Sequence, residues 1–380
     1  MLPFKSKLLL FPYWVILKIR HSLYDRKIKK SISYNIPVIC VGNITVGGTG
    51  KTPHTEMLIR LLRDKYKVAV LSRGYKRKTK GFRIAQLTDT FEQVGDEPLQ
   101  IKQKFPDILI AVCASRREGI EKLLALPEHE QDACASNSSG NAQSATAAIY
   151  RPTLIILDDA FQHRKVTPSH SVVLMNYSNP IYNDNLLPLG TLRDLPEQIK
   201  RADSVIISKS PLFGEMRGVD GIIDQQEALK QVEEKETEWR RNLSLKEHQQ
   251  LYFSTITYGE PLPVFPYEAD SRYIYSKNAV YFTGIANDKE FRDNIVGSHK
   301  IQDAIKFADH RSFSESDIAR IHHLAAKYPT AVVFTTEKDS KRLITNRYLN
   351  ADLRKRLFYI PIEVEISPTV KKEEFIASLK

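Results

Sequence analysis

Residues 45–52 read Thr-Val-Gly-Gly-Thr-Gly-Lys-Thr and lie between an apolar run and a helical one. Glycines at such a point let successive backbone N–H groups turn inward around an anion. The positive end of the following helix adds to that attraction. In this reading Thr45, Val46, Gly47, Gly48, Thr49 and Gly50 cradle nucleotide phosphates. Lys51 reaches the β- and γ-phosphates, and the Thr52 hydroxyl serves Mg²⁺. Thr45 takes the first position, where the general phosphate-loop pattern has glycine. The plainer alternative is a glycine-rich turn ending in a surface lysine, and the strand-loop-helix setting argues against it.

Asp158 and Asp159 close a second apolar run, 153–157. Adjacent acids at a strand end are often only solvated turn residues, but beside a phosphate loop they suit Mg²⁺. Four more polar clusters follow predicted strands or precede helices: 72–75 (Ser-Arg-Gly-Tyr), 95–98 (Gly-Asp-Glu-Pro), 161–164 (Phe-Gln-His-Arg) and 187–194 (Leu-Pro-Leu-Gly-Thr-Leu-Arg-Asp). Singly, each residue is more often structural than catalytic. In a doubly wound sheet, however, the loops after strands converge at the carboxyl edge, where ligands bind.

The elements that must hold these residues are short continuous apolar strands alternating with helices. Strands are predicted at 37–42, 68–72, 108–112, 153–157 and 171–175, with a helix at 53–65. Such runs imply a mostly parallel sheet covered on both faces, a P-loop α/β fold. A charged amphipathic stretch spans 225–250. A second, smaller α/β set follows, with strands at 279–283 and 331–335 around a helix at 314–327. The predicted domains are 31–200, carrying the phosphate loop, and 201–380. Residues 131–149, small and polar, read as a flexible insertion in the first domain.

The chain has 380 residues, 56 Lys and Arg against 45 Asp and Glu, and a formal net charge of +11. That excess favours anionic partners without choosing among nucleic acid, membrane and phosphorylated substrate. Cys40, Cys113 and Cys134 are odd in number, widely spaced and without metal-ligand spacing, which points to a reducing compartment.

Residues 8–17 are almost wholly apolar, with lysines and arginines on either side. The run falls short of the roughly 20 residues a bilayer needs. Pro12 would interrupt a spanning helix, and no small-x-small cleavage site follows. Residues 1–30 therefore read as an interfacial membrane-associating segment, with aromatic groups in the headgroup layer and cations on anionic lipid. A helix packed on the first domain is the competing reading.

Residues 42–53, 72–75, 95–98, 158–163, 187–190, 283–287, 307–310 and 336–339, in that order, resemble the motifs of the tetraacyldisaccharide 4′-kinases, the lipid A 4′-kinases. The resemblance spans roughly 38–340, and Thr45 in place of glycine is itself a feature of that family. Ala160 stands where glycine is usual, Asp194 where glutamate is usual, and Arg311 where a second histidine is common. The resemblance implies an ATP- and Mg²⁺-dependent kinase acting on the 4′-hydroxyl of an acylated glucosamine disaccharide 1-phosphate. It also implies a peripheral place on the cytoplasmic face of the inner membrane. In these terms Asp96 is the general base and His310 orients it. Lys51 stabilises the transferring charge, while Thr52, Asp158 and Asp159 organise Mg²⁺. Arg73, Tyr75, His163 and Arg193 contact the lipid's phosphate and sugar or the nucleotide phosphates, with Arg116 or Arg117 as further candidates.

Two rivals come from other classes. A P-loop NTPase that regulates a partner or binds nucleic acid would show an Asn-Lys-x-Asp motif, an RNA-recognition signature or a groove-patterned basic helix, and none is present. A soluble sugar or nucleotide kinase conflicts with the apolar N-terminal run. No nucleic acid and no obligate protein partner are expected.

Overall fold

The computed structural model describes residues 4–128, 149–213, 216–217, 222–223, 225–285, 287–308, 313–369 and 371–379. The predicted insertion at 131–149, save its last residue, and Cys134 lie outside them. The chain forms two units, Met1–Ile256 with Val364–Lys380, and Thr257–Glu363. The division does not fall near residue 200, because later segments return to extend the first sheet.

The chain opens with helix α1 (Phe4–Asp25). The first unit builds a nine-stranded sheet whose first seven strands in chain order are β1 (Val38–Asn43), β2 (Val68–Ser72), β3 (Arg83–Ile84), β4 (Leu109–Val112), β5 (Leu154–Asp158), β6 (His170–Asn176) and β7 (Ser204–Ser208). A short antiparallel pair, β8 (Met216–Arg217) and β9 (Ile222–Ile223), stands apart. β10 (Gln250–Tyr258) then rejoins the large sheet.

In the second unit come β11 (Leu262–Pro263), β12 (Asn278–Thr283), β13 (Lys300–Lys306), β14 (Val332–Thr336) and β15 (Leu357–Ile360). β16 (Ile362–Ser367) returns to the first sheet, whose order is β16-β10-β7-β6-β1-β5-β2-β4-β3. Every pairing from β4 across to β10 is parallel, and β3 runs antiparallel at one edge.

β1, β2, β4, β5 and β7 are buried along their whole length. Alternate residues therefore serve opposite faces. Val38, Cys40, Leu71, Ile155 and Leu157 enter one core, while Ile39, Val41, Val70, Leu154 and Ile156 enter the other. The crossovers are helical: α2 (Lys51–Leu62), α3 (Phe91–Val94) with α4 (Asp96–Lys104), and α5 (Arg116–Leu124). The charged stretch predicted from 225 is α6 (Gln225–Leu243), which turns Ala228, Val232, Trp239 and Leu243 into the first core at helical spacing. The parallel strands build outward from β1 in both directions, through β2 and β4 on one side and β6, β7 and β10 on the other. β1 thus lies at the switch point, where such sheets bind ligands beyond the strands' carboxyl ends.

The second unit carries a sheet of order β11-β15-β14-β12-β13, parallel except at β11. Its helices are α7 (Lys289–Val296), α8 (Glu315–Lys327), α9 (Glu337–Leu343) and α10 (Ala351–Arg356), and α11 (Lys371–Ser378) returns to the first unit. α8 starts at a capping box in which Ser314 and Asp317 satisfy each other's backbone N–H groups.

Candidate active site

Parallel register brings the chemistry together. Val41 pairs with Asp158, Leu71 with Leu157, and Ser72 with Val112. The carboxyl ends of β1, β5, β2 and β4 therefore form one line. From it emerge the phosphate loop, the acidic pair, the 72–75 loop and the start of α5.

Gly47, Gly48 and Gly50 have φ of 70°, 61° and 76°, left-handed backbone that glycine adopts without strain. Lys51 and Thr52 open α2. A second loop is laid along the first: Val46 N donates to Thr191 O at 2.7 Å and Arg193 N to Ile44 O at 2.9 Å. His54, one turn into α2, is buried and contacts the Gly50 carbonyl through Nδ1 at 2.7 Å and the Ser254 hydroxyl through Nε2 at 2.9 Å. A carbonyl only accepts, so Nδ1 carries the proton. Burial lowers the His54 pKa to about 4, which keeps the ring neutral.

Asp158 is 1 % exposed and accepts from Thr55 Oγ1 at 3.3 Å and Ser72 Oγ at 3.1 Å. Asp159 adopts φ 48°, a left-handed conformation aspartate tolerates. That turn brings its carboxylate to the Arg193 guanidinium, in a close bidentate pair, and to Lys51 Nζ at 3.8 Å. Arg193 also reaches the Asn43 side chain.

Asn43, inside the resembling stretch 42–53 but given no role there, is a hub. Its side chain donates to Thr49 Oγ1 at 2.8 Å and accepts from Lys51 at 3.5 Å, while its carbonyl accepts from Gln162 Nε2 at 2.7 Å. The available signal was a buried asparagine ending an otherwise apolar strand.

Arg116 and Arg117 separate cleanly. Arg116 is 1 % exposed and donates to the carbonyls of Cys113 at 2.9 Å and Asp158 at 2.7 Å, so it braces the backbone under the acidic pair. Arg117 lies on an exposed turn, paired with Glu121 at 2.9 Å.

Arg73 and Tyr75 are exposed on the loop after β2. That loop reaches Asp96 by a contact of two glycines. A Cβ on Gly95 would stand 3.2 Å from the Gly74 Cα, and one on Gly74 would stand 2.9 Å from the Val94 carbonyl. Both glycines have positive φ, 68° and 96°, and Asp96 follows directly at the start of α4. His163 sits half-buried in the turn after the acids. Burial and the nearby Arg116 charge lower its pKa to about 4, so it offers a neutral ring. His310 lies outside the described residues.

A phosphate loop at the switch point of a parallel sheet, with an acidic pair in register beside it, marks a P-loop nucleotide-binding protein. The sequence profile described as "LpxK: Tetraacyldisaccharide-1-P 4'-kinase" matches residues 7–380, and the chain belongs to that family. It is 38% identical over 360 residues to the tetraacyldisaccharide 4′-kinase of Parabacteroides distasonis, covering 93% of this chain and 88% of the relative. It is likewise 38% identical over 365 residues to that of Porphyromonas gingivalis, covering 93% and 90%. A crystal structure of an "apo" form of LpxK from Aquifex aeolicus in complex with ATP shares the fold, with TM-score 0.67, 24% identity and 99% of each chain covered.

Proposed function

We infer that this chain is an ATP-dependent kinase that transfers a phosphoryl group to the 4′-hydroxyl of a tetraacyl glucosamine disaccharide 1-phosphate, in lipid A biosynthesis. The observation that carries the reading is the phosphate loop at 45–52 with Asp158 and Asp159 in register beside it, in a chain that matches this family over residues 7–380.

Phosphoryl transfer is mainly positioning and charge neutralisation. Lys51 and Arg193 both face Asp159. An incoming triphosphate, with more negative charge than one carboxylate, competes for both cations and draws Lys51 to the γ-phosphoryl. The oxygens of Thr52, Asp158 and Asp159 suit Mg²⁺, a hard cation. The buried Asp158, already accepting two hydroxyl donors, suits contact through water, while Asp159 is the accessible carboxylate. Bound there, Mg²⁺ would neutralise charge on the phosphate oxygens.

A sugar hydroxyl needs help to lose its proton, and Asp96 takes that role with His310 as its orienting partner. Arg73 and Tyr75, exposed beside Asp96, bind the disaccharide's phosphate and sugar. His163 serves as a neutral contact and Arg193 as a cationic one.

The reading extends to a peripheral seat on the cytoplasmic face of the inner membrane. Its support is α1, which exposes Phe11, Trp14, Ile16 and Ile19 while Leu17 is buried in the first core. No helix among the described residues is long and apolar enough to cross a membrane.

The test is a radiolabelled ATP assay offering the acylated disaccharide 1-phosphate, nucleosides and free sugars in parallel. Labelling of the lipid alone is expected. Labelling of a nucleoside or free sugar in its place would overturn the assignment.

A further inference from the structure

We propose that His21, on α1, is a positioning residue for phosphoryl transfer. Through Asp194 it fixes the backbone from which Arg193 reaches Asp159, so the helix with the exposed aromatic face also sets the geometry of the phosphate site. The inference rests on the site reading above, in which Arg193 and Asp159 belong to that site.

His21 is 3 % exposed and Asp194 0 %, and His21 Nε2 lies 2.6 Å from Asp194 Oδ1. Arg164 Nη1 lies 3.1 Å from the other ring nitrogen, Nδ1. Arginine can only donate, so Nδ1 accepts and the ring proton sits on Nε2, facing the carboxylate. Asp194 Oδ1 also accepts from Leu195 N at 2.9 Å, whereas Oδ2 is buried with no hydrogen-bond partner among the described residues. A carboxylate removed from water is costly unless it is bonded. Half of this one's direct hydrogen bonding comes from His21, and without the imidazole the segment must rearrange to find another donor.

The segment that would rearrange is the one carrying Arg193. α1 holds it a second time, because Tyr13 Oη donates to the Arg193 carbonyl at 2.8 Å. The helix also reaches the neighbouring loop. Arg20 donates to the Gln162 carbonyl at 2.5 Å, and Gln162 in turn donates to the Asn43 carbonyl at the head of the phosphate loop. Each contact is made by a side chain from residues 13–21, and each ends on a segment that touches Asp159 or the phosphate loop. Anchoring alone would not require such a pattern, whereas a helix that aligns the site would.

The test uses the full chain in neutral-detergent mixed micelles, which take membrane recruitment out of the rate. His21→Leu is expected to lower kcat about tenfold to a hundredfold, the scale of a small misplacement of reacting groups. The KM for ATP should stay within about twofold, because the phosphate loop is untouched. His21→Gln keeps an N–H donor and should recover most of the loss, which a role in bulk packing does not predict. His21→Leu combined with Arg193→Ala should be no slower than Arg193→Ala alone, since both act through one group.

An unchanged kcat in His21→Leu, or losses that multiply in the double variant, would overturn the proposal. If Arg193→Ala itself retains full activity, the site reading fails first. If it is impaired while His21→Leu is not, only the present inference fails. Should His21→Leu fold poorly, Tyr13→Phe removes the second grip and keeps the ring. A reduced kcat at unchanged melting temperature then supports the inference, and an unchanged kcat ends it.

Discussion

Asp158 and Asp159 adjoin in the chain, yet their surroundings shift their pKa values in opposite directions. Burial, reinforced by the Asp159 charge, raises the pKa of Asp158. Burial also acts to raise Asp159, but the hydrogen bond from Arg193 and the charges of Lys51, Arg193 and Arg116 outweigh it and hold its pKa below the usual carboxylate value. One strand end thus supplies a shielded acceptor of hydroxyl hydrogen bonds and a firmly ionised anion that collects cations. Two acids set apart in this way can take different tasks at one pH.

The first consequence concerns Lys51, whose ammonium is held between Asp159 and Asn43. Lys51→Ala should lower kcat by orders of magnitude while the fold persists, because the charge acts on the transferring phosphoryl. Turnover of the lipid with circular dichroism on the same preparation checks both halves. Near-normal turnover would remove the nucleotide-site assignment.

Asp96 and His310 are expected to act as a unit. Asp96→Ala and His310→Ala should each cost about 10²–10⁴ in kcat, with ATP affinity barely moved. The double variant should be little worse than the poorer single one. Multiplicative losses would assign His310 a separate task, and an unaffected Asp96→Ala would leave positioning and charge as the sources of catalysis.

His54 gives a pH signature in stability. Its folded pKa, about 4, lies below the ordinary 6.5. Between those values the unfolded chain binds a proton that the folded chain refuses, so stability falls as pH drops through that window and levels off below it. At most the effect is about 3 kcal/mol, the shift converted at 1.36 kcal/mol per unit. His54→Gln can still donate to Gly50 and accept from Ser254 but does not titrate. Denaturant midpoints from pH 7 to 4 should fall less for this variant than for the unaltered protein, and parallel curves would refute the account.

Arg116 and Arg117 test burial against exposure on one helix. Arg116→Met strands the carbonyls of Cys113 and Asp158. The expected loss is about 2–4 kcal/mol, the scale for charged hydrogen bonds removed from buried acceptors. Arg117→Ala removes an exposed helical pair and should cost no more than about 0.5 kcal/mol. Equal changes in melting temperature would contradict the contrast.

For the membrane, replacing Phe11, Trp14, Ile16 and Ile19 together by serine spares the buried Leu17 and His21. Binding to vesicles of anionic phospholipid should fall sharply while the melting temperature holds. Deleting residues 1–20 should behave differently and reduce activity even in detergent, because Tyr13, Leu17 and Arg20 would go with the exposed face. Undiminished vesicle binding by the serine variant would remove the anchoring role.

Much of this was legible in the chain because parallel, doubly buried strands read as short apolar runs. β1, β2, β4, β5 and β6 were anticipated to within a residue or two at either end, and the phosphate loop and acidic pair at their ends were plain. β7 and β10 were not assigned to the first sheet, because nothing local in Ser204–Ser208 or Gln250–Tyr258 says which sheet will accept them. Pairing partners are a tertiary choice. Asn43 and His21 carry no role in the sequence reading for a related reason. His21 works through Asp194 and Asn43 in part through Gln162 and Arg193, partners 119 to 173 residues away in the chain, and only strand register or helix docking brings those atoms near. The 8–17 run reads as an interfacial anchor with a packed helix as its rival, whereas α1 buries Leu17 and exposes Phe11, Trp14, Ile16 and Ile19.

β16 carries a further consequence, for synthesis. It lies beside β10 at the edge of the first sheet, yet it is translated only after nearly all of Thr257–Glu363. A nascent chain can complete the later unit while the earlier one still lacks its border strand, and β10 meanwhile presents unpaired backbone groups. Exposed strand edges invite association with other chains. During translation the vulnerable interval therefore runs from the emergence of β10 to that of β16, and a ribosome paused within it holds the larger unit open to misassembly.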